Sequence, residues 1–154
     1  MRPRLCAAAL IALVAAAGCR SDARAAACAS DRAQVQQLVD EDKRIDKLLH
    51  QADVAASKGQ GAEAASLITS RAAPSEKEVL QRARGWNPAS RWGRDIRAEM
   101  IALIEARSKS MTDYADALRS DDLKRVVEQM EAQHKLEQRA VELEAKLAAA
   151  ACSE

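Results

Sequence analysis

The chain has 154 residues and a net charge of +1, with 31% charged residues, 2% aromatics and no Phe. Its core must come from Ala, Leu, Ile, Val and Met, which suits closely packed helices and rules against a β-sandwich. The near-neutral charge argues against nucleic acid as a partner, and the length is enough for one domain.

The N-terminus has the three-part pattern of an export signal. Arg2 and Arg4 form a short positive region, and Leu5 to Ala17 an uncharged apolar run. That run is shorter than the ~20 apolar residues a membrane-spanning helix needs. It ends at Ala16-Ala17-Gly18-Cys19, which resembles the lipobox of bacterial lipoprotein precursors. The resemblance covers residues 1–19 and departs from the usual pattern at Ala16, where leucine is customary. It implies a signal peptide over 1–18, cleavage before Cys19, and acyl chains such as palmitate on that cysteine. Several chains together anchor stably, where one binds marginally. The protein would then sit in the bacterial cell envelope, lipid-anchored and facing the periplasm. Arg20 stands where an inner-membrane retention signal would place Asp, which leans the expectation towards the outer membrane. Cleavage by the ordinary signal peptidase after Ala17 or Ala27 is the rival reading, as is an uncleaved anchor.

The cysteines fit export. Cleavage removes Cys6 and acylation consumes Cys19, leaving Cys28 and Cys152 as an even pair in an oxidising compartment. A disulfide between them would close a loop of about 120 residues, worth ~4 kcal/mol in the chain-entropy model. Two unpaired thiols are the alternative. Loss of Arg2 and Arg4 with no acidic residue turns the charge from +1 to −1.

Residues 19–28 read as the lipidated cysteine and a short flexible tether, and 29–154 as the domain. A first helix is expected from about Ser30 to Lys58, where Val35, Leu38, Asp42, Ile45, Leu49 and Ala52 form a heptad-like seam with one polar break. Gly59-Gln60-Gly61 ends it. A weaker helix over about Ala62 to Ala72 is expected to break at Pro74. Ser75 with Glu78 then reads as a capping box for a third, ending near Arg84 before Gly85. Asn87-Pro88 reads as the cap and first turn of a helix to Arg119, with Ile96, Met100, Leu103, Ile104, Met111 and Tyr114 on one face. After a turn at Ser120 to Asp122, the last helix runs to about Ala150. It carries one stripe of Leu123, Val127, Met130 and Val141 and another of Leu136, Ala140, Leu143 and Leu147.

The fold expected is therefore all-α, an antiparallel up-down helical bundle of four arms, the second broken at Pro74. Four passes bring both chain ends to one end of the domain, so the Cys28–Cys152 bond and the four-arm reading support each other.

Between Arg71 and Arg97 lie seven basic residues and three acidic ones, with both tryptophans among them. Trp86, Trp92, Arg82, Arg84, Arg91 and Arg94 have three readings. They plug the end of a bundle short of large side chains, lie against anionic lipid, or hold a peptide or cell-wall fragment. Glu131 and His134 have the Glu-x-x-His spacing of carboxylate di-metal bundles. The matching position before His50 is Lys47, a cation where a ligand is required, so the metal motif is half present. No haem, zinc-ribbon, phosphate-loop or serine-hydrolase signature occurs. Asp40, Glu41 and Asp42, among Lys43 and Arg44, read as a solvated face. The expectation is a membrane-anchored binding or scaffolding lipoprotein, not an enzyme. It would need no cofactor beyond its covalent lipid, and its partner would be a protein or envelope component. A metal-binding or enzymatic bundle using Glu131 and His134 is the alternative.

Overall fold

A computed structural model describes the backbone of residues 7–149 and the side chains of residues 23–148. The chain is an all-α helical bundle, as its aromatic-poor, Ala- and Leu-rich composition predicts. Helix α1 is Ala7–Ser57, α2 is Gly61–Leu67, α3 is Ala73–Gly85, α4 is Arg91–Arg119 and α5 is Leu123–Ala149. Among the described residues no helix is long and apolar enough to cross a membrane.

Helix α1 starts well before Ser30 and passes without interruption through residues 20–27, the expected flexible tether. Four of those eight residues are Ala, the best helix former, and nothing in the segment breaks a helix. An eight-residue helix rises ~12 Å, less than half the span of the same chain fully extended. At its other end Gly59 takes φ +77, a left-handed conformation glycine adopts without steric cost. Gln60 N–H then donates to the Ala55 carbonyl at 3.0 Å and closes the turn.

The second arm is not broken at Pro74. A single wide, π-type turn over Ile68–Ala72 joins α2 to α3, and the backbone stays right-handed helical through Leu67, Ala72 and Ala73. Proline has no N–H and its ring collides with the carbonyl four residues back. Widening one turn just before Pro74 relieves that collision without ending the helix. Thr69 and Ser70 hydroxyls donate to the Ala65 and Ser66 carbonyls at 2.9 and 2.6 Å, supplying hydrogen bonds beside the distortion. With the helix continuous, α3 has no free N-terminus for a Ser75/Glu78 capping box to close.

Helix α4 begins three residues later than Asn87-Pro88 suggests. Ser90 is its N-cap, accepting from Gly93 N–H at 2.9 Å. Asp121 at φ 54 makes the last turn, and the Asp122 carboxylate accepts from Arg125 N–H at 3.1 Å at the start of α5.

Particular contacts give the directions of the arms. Asp31 meets Ser90 and Asp53 meets Tyr114, so α1 and α4 run the same way. Gly61 lies against Leu118 and Arg97 against Ala83, so the second arm runs opposite to α4. Lys146 meets Glu99, so α5 does too. Helix α1 packs on the second arm, the second arm on α4, and α4 on α5. No close backbone approach links α1 to α5 among the described residues.

Leu38, Ile45, Ile68, Met111 and Tyr114 are fully buried where α1, the second arm and α4 meet. Each aliphatic side chain so buried contributes ~1.5–3 kcal/mol. Helix α5 is different. Leu143 is buried and Leu136, Ala140 and Leu147 are half-buried, but the other expected core stripe is exposed. Leu123 is 75% exposed, Val127 54%, Met130 50% and Val141 65%. The physical reason is that α5 docks on α4 alone, so only one side of its broad apolar face is covered.

Candidate functional site

With no close backbone approach between α1 and α5 among the described residues, a groove of about 320 Å3 runs between them beside α4. Its apolar lining comes from all three helices: Leu49 of α1, Leu103 of α4, and Leu136, Ala140 and Val141 of α5. Its walls are acidic. Asp42, Asp46 and Asp53 stand on α1 and Glu137 and Glu144 on α5, against the cations Lys43 and Arg107.

Arg107 is the anchor of one end. It lies on the buried stripe of α4, between Ile104 and Met111. Its guanidinium forks onto Glu76 of α3, Nε to Oε1 at 2.8 Å and Nη2 to Oε2 at 2.6 Å. The other edge takes both oxygens of Asp42, Nη1 to Oδ2 at 3.1 Å and Nη2 to Oδ1, and Nη1 also meets Asp46 Oδ1 at 3.1 Å. Glu76 is 0% exposed, so the network ties α1, α3 and α4 through buried charge. Burial pushes the Glu76 carboxyl above its ordinary range despite the opposing pull of Arg107. Burial would lower the Arg107 pKa, but the bonds and charge of Glu76 and Asp42 outweigh it and hold the guanidinium charged.

The other groove carboxylates are less well matched. Burial raises the pKa of Asp46; Arg107 opposes this, while the charges of Asp42, Glu137 and Glu144 add to it. Burial likewise raises Asp53, which accepts from the Tyr114 hydroxyl at 3.1 Å and is pushed further by Glu137. Tyr114 in turn is raised by burial and by the Asp53 charge. The α1 and α5 walls therefore repel each other across the groove.

The Trp/Arg cluster lies N-terminal of the groove along α1, beside Asp31 and Arg32. Trp86 and Trp92 are half-buried and pack against the core. The Arg32 guanidinium sits 5.5 Å from the Trp92 ring centroid. The arginines are engaged internally. Arg82 bonds Glu41, Arg84 Nη2 reaches Glu105 at 2.6 Å, Arg91 lies 4.0 Å from Asp95, and Arg94 donates to the Ala89 carbonyl at 3.5 Å. At the same end Asp31 is buried and accepts from Ala89 N–H at 3.2 Å, Ser90 N–H at 2.8 Å and Ser90 Oγ at 2.6 Å. Burial alone would raise its pKa, but the bonds from Ser90, Ala89 and Trp86 outweigh that and hold it below the ordinary range.

Two sequence readings are corrected here. Asp42 and Glu41 are not a solvated face paired within α1: they bind Arg107 and Arg82 across the bundle. Glu131 and His134 do not point into the bundle. Both are exposed on α5, and His134 meets Gln138 at 3.1 Å and Glu137 at 3.5 Å. Among the described residues no group of three or more His, Cys, Asp or Glu is placed to hold a metal ion. Cys28 is buried and engaged, while the side chain of Cys19 and the whole of Cys152 lie outside the described residues.

Fold and groove define a class: a small helical-bundle domain with an open, apolar-lined and acidic-walled groove. No protein-family model matches the chain, and neither a curated protein nor a solved structure shows significant similarity to it.

Proposed function

We propose that this chain is a bacterial envelope lipoprotein, held to the outer membrane by lipid on Cys19, whose helical domain is a non-enzymatic binding module. The observation that carries the binding assignment is that α5 docks on α4 alone. An apolar groove and an apolar stripe are thereby left uncovered, where a self-sufficient bundle would bury them.

The lipobox-like Ala16-Ala17-Gly18-Cys19 supports the anchor. With α1 helical from Cys19 onward, Asp46 lies ~40 Å along the helix from the lipid. The groove then opens well clear of the bilayer, and the Trp86/Trp92 end is the end nearer to it. A Cys28–Cys152 disulfide completes the reading. It is supported by the burial of Cys28 and by the even number of cysteines left after lipidation.

Metabolic labelling with a palmitate analogue tests the anchor. The wild-type protein takes the label and fractionates with membranes, and C19S does neither. A C19S protein that is still processed at the same bond and still membrane-bound overturns it. Intact mass before and after reduction tests the disulfide, which predicts a gain of two hydrogens.

A further inference from the structure

Four of the five exposed large hydrophobic side chains among the described residues lie on α5: Leu123, Val127, Met130 and Val141. Their spacing of four, three and eleven residues keeps them on one heptad seam. The seam adjoins the groove, because Val141 belongs to both.

Charge on α5 is divided end from end. Its first half, 123–135, carries Lys124, Arg125 and Lys135 against Glu128 and Glu131. Its second half carries Glu137, Glu142 and Glu144 against Arg139 and Lys146, and Lys146 is taken by Glu99. The first turn has no acidic residue, so Lys124 and Arg125 stand at the positive end of the helix dipole, where cations are disfavoured.

We propose that the uncovered face of α5 and the adjoining groove bind a second copy of this chain, through an antiparallel pairing of the two α5 helices about a two-fold axis. This names the partner of the face already assigned to binding, and rests on that assignment. With Lys124 of one copy opposite the partner's Glu142, Glu131 comes opposite the partner's Lys135. Symmetry makes each ion pair twice. In the same register, residues 123–130 lie opposite residues 136–143 of the partner, the stretch of α5 that lines the groove. The basic, apolar start of one α5 is thereby laid on the acidic, apolar groove of the other, and the reverse. A parallel pair would instead set Glu137 and Glu144, which share the seam with Met130 at seven-residue spacing, beside their own copies.

The area suits a reversible dimer. The four side chains are 50–75% exposed and leave an apolar strip on the order of 400 Å2 on each copy. Two strips with their charged flanks approach ~1,200 Å2, the low end for specific complexes, so dilute protein is monomeric. The two Cys19 ends point opposite ways in such a pair. Paired copies anchored in one membrane therefore lie along it, while a single copy stands away from it.

Sedimentation equilibrium of the lipidated protein, in density-matched neutral detergent with micelles in large excess, tests the pairing. A reversible monomer–dimer equilibrium is expected. K124E and E142K should each weaken it about tenfold, because each turns two attractions into two repulsions, and K124E/E142K should restore it. Lys124 and Glu142 are ~27 Å apart along one helix, so that restoration arises only between copies. V127D should abolish the dimer and leave the helical circular dichroism of the monomer unchanged. Protein that stays monomeric at the highest concentration, or a double variant that pairs no more tightly than the single ones, overturns the proposal. A photo-crosslinking side chain in place of Val127, in intact cells, separates the two assignments. An adduct of twice the chain mass supports the pair. An adduct with a different protein overturns the second copy as partner and leaves the face a binding site, and no adduct at all overturns both.

Discussion

Asp31 and Gly93 occupy one another's space: the Asp31 carboxylate carbon lies 2.7 Å from where a β-carbon on Gly93 would stand. The absence of that carbon lets a residue midway along α1 reach the N-terminus of α4. There the helix dipole and the N–H groups of Ala89 and Ser90 favour an anion. The two helices are pinned side by side at that end.

G93A should therefore destabilise the domain by ~2 kcal/mol or more, because the added carbon meets Asp31 and, at 2.9 Å, the Pro88 β-carbon. The pair D31A/G93A should recover part of that loss. Urea unfolding followed by circular dichroism measures both.

The Glu76–Arg107 fork makes a sharper prediction. E76Q leaves a guanidinium with less compensating charge in a dry environment, and removing one partner of a buried pair costs ~3–5 kcal/mol. The double replacement E76L/R107M should be much closer to wild type than either single change. A double-mutant cycle in denaturant reads the difference. Additive losses would mean that the two side chains do not act as a unit.

Stability should bend with pH in two directions. The folded-state pKa values of Asp46 and Asp53 lie above the ordinary values, 3.8 for each, so the folded form holds their protons more tightly. Acidification from neutrality towards those ordinary values should raise the melting temperature. Asp31 has the opposite sign, being lowered in the fold. Its contribution should be lost as the pH falls through and below 3.8. A melting-temperature series from pH 7 to pH 3 should rise and then fall. D53N should flatten the rising part, because the amide keeps an acceptor for Tyr114 and removes the charge.

The two stripes of α5 should respond differently to substitution. L143A removes a buried side chain and should cost ~2–5 kcal/mol. V127S and M130S touch little in the monomer and should change stability by about 0.5 kcal/mol or less. Large losses at both stripes would mean that the outward face of α5 is covered in solution.

Much of this architecture is legible in the periodicity. The apolar seam of α1 and the stripe of α4 recur in the structure as its core, and the turns at Gly59 and Asp121 fall where composition places them. The Arg107 network left a trace that can be seen only after the fact. Asp42 interrupts one apolar seam, Arg107 another, and Glu76 the short Ala72–Val79–Ala83 stripe of the second arm. A polar residue at a core position reads as solvated until another arm's polar residue is known to face it. Pro74 misleads for a related reason. Its conflict with the helix is local, but one widened turn resolves it while packing on α1 and α4 keeps the arm in line.

The sequence by itself determined that this chain is all helix, because Ala, Leu and charged residues at a 3.6-residue period leave no other way to bury its apolar surface. It also marked Cys19 as the expected anchor. Only the tertiary structure decided which apolar stripe of α5 is core and which is exposed. The period along a helix says that a face is apolar and not what lies against it. That depends on whether α1 and α5 meet, and the groove exists because they do not.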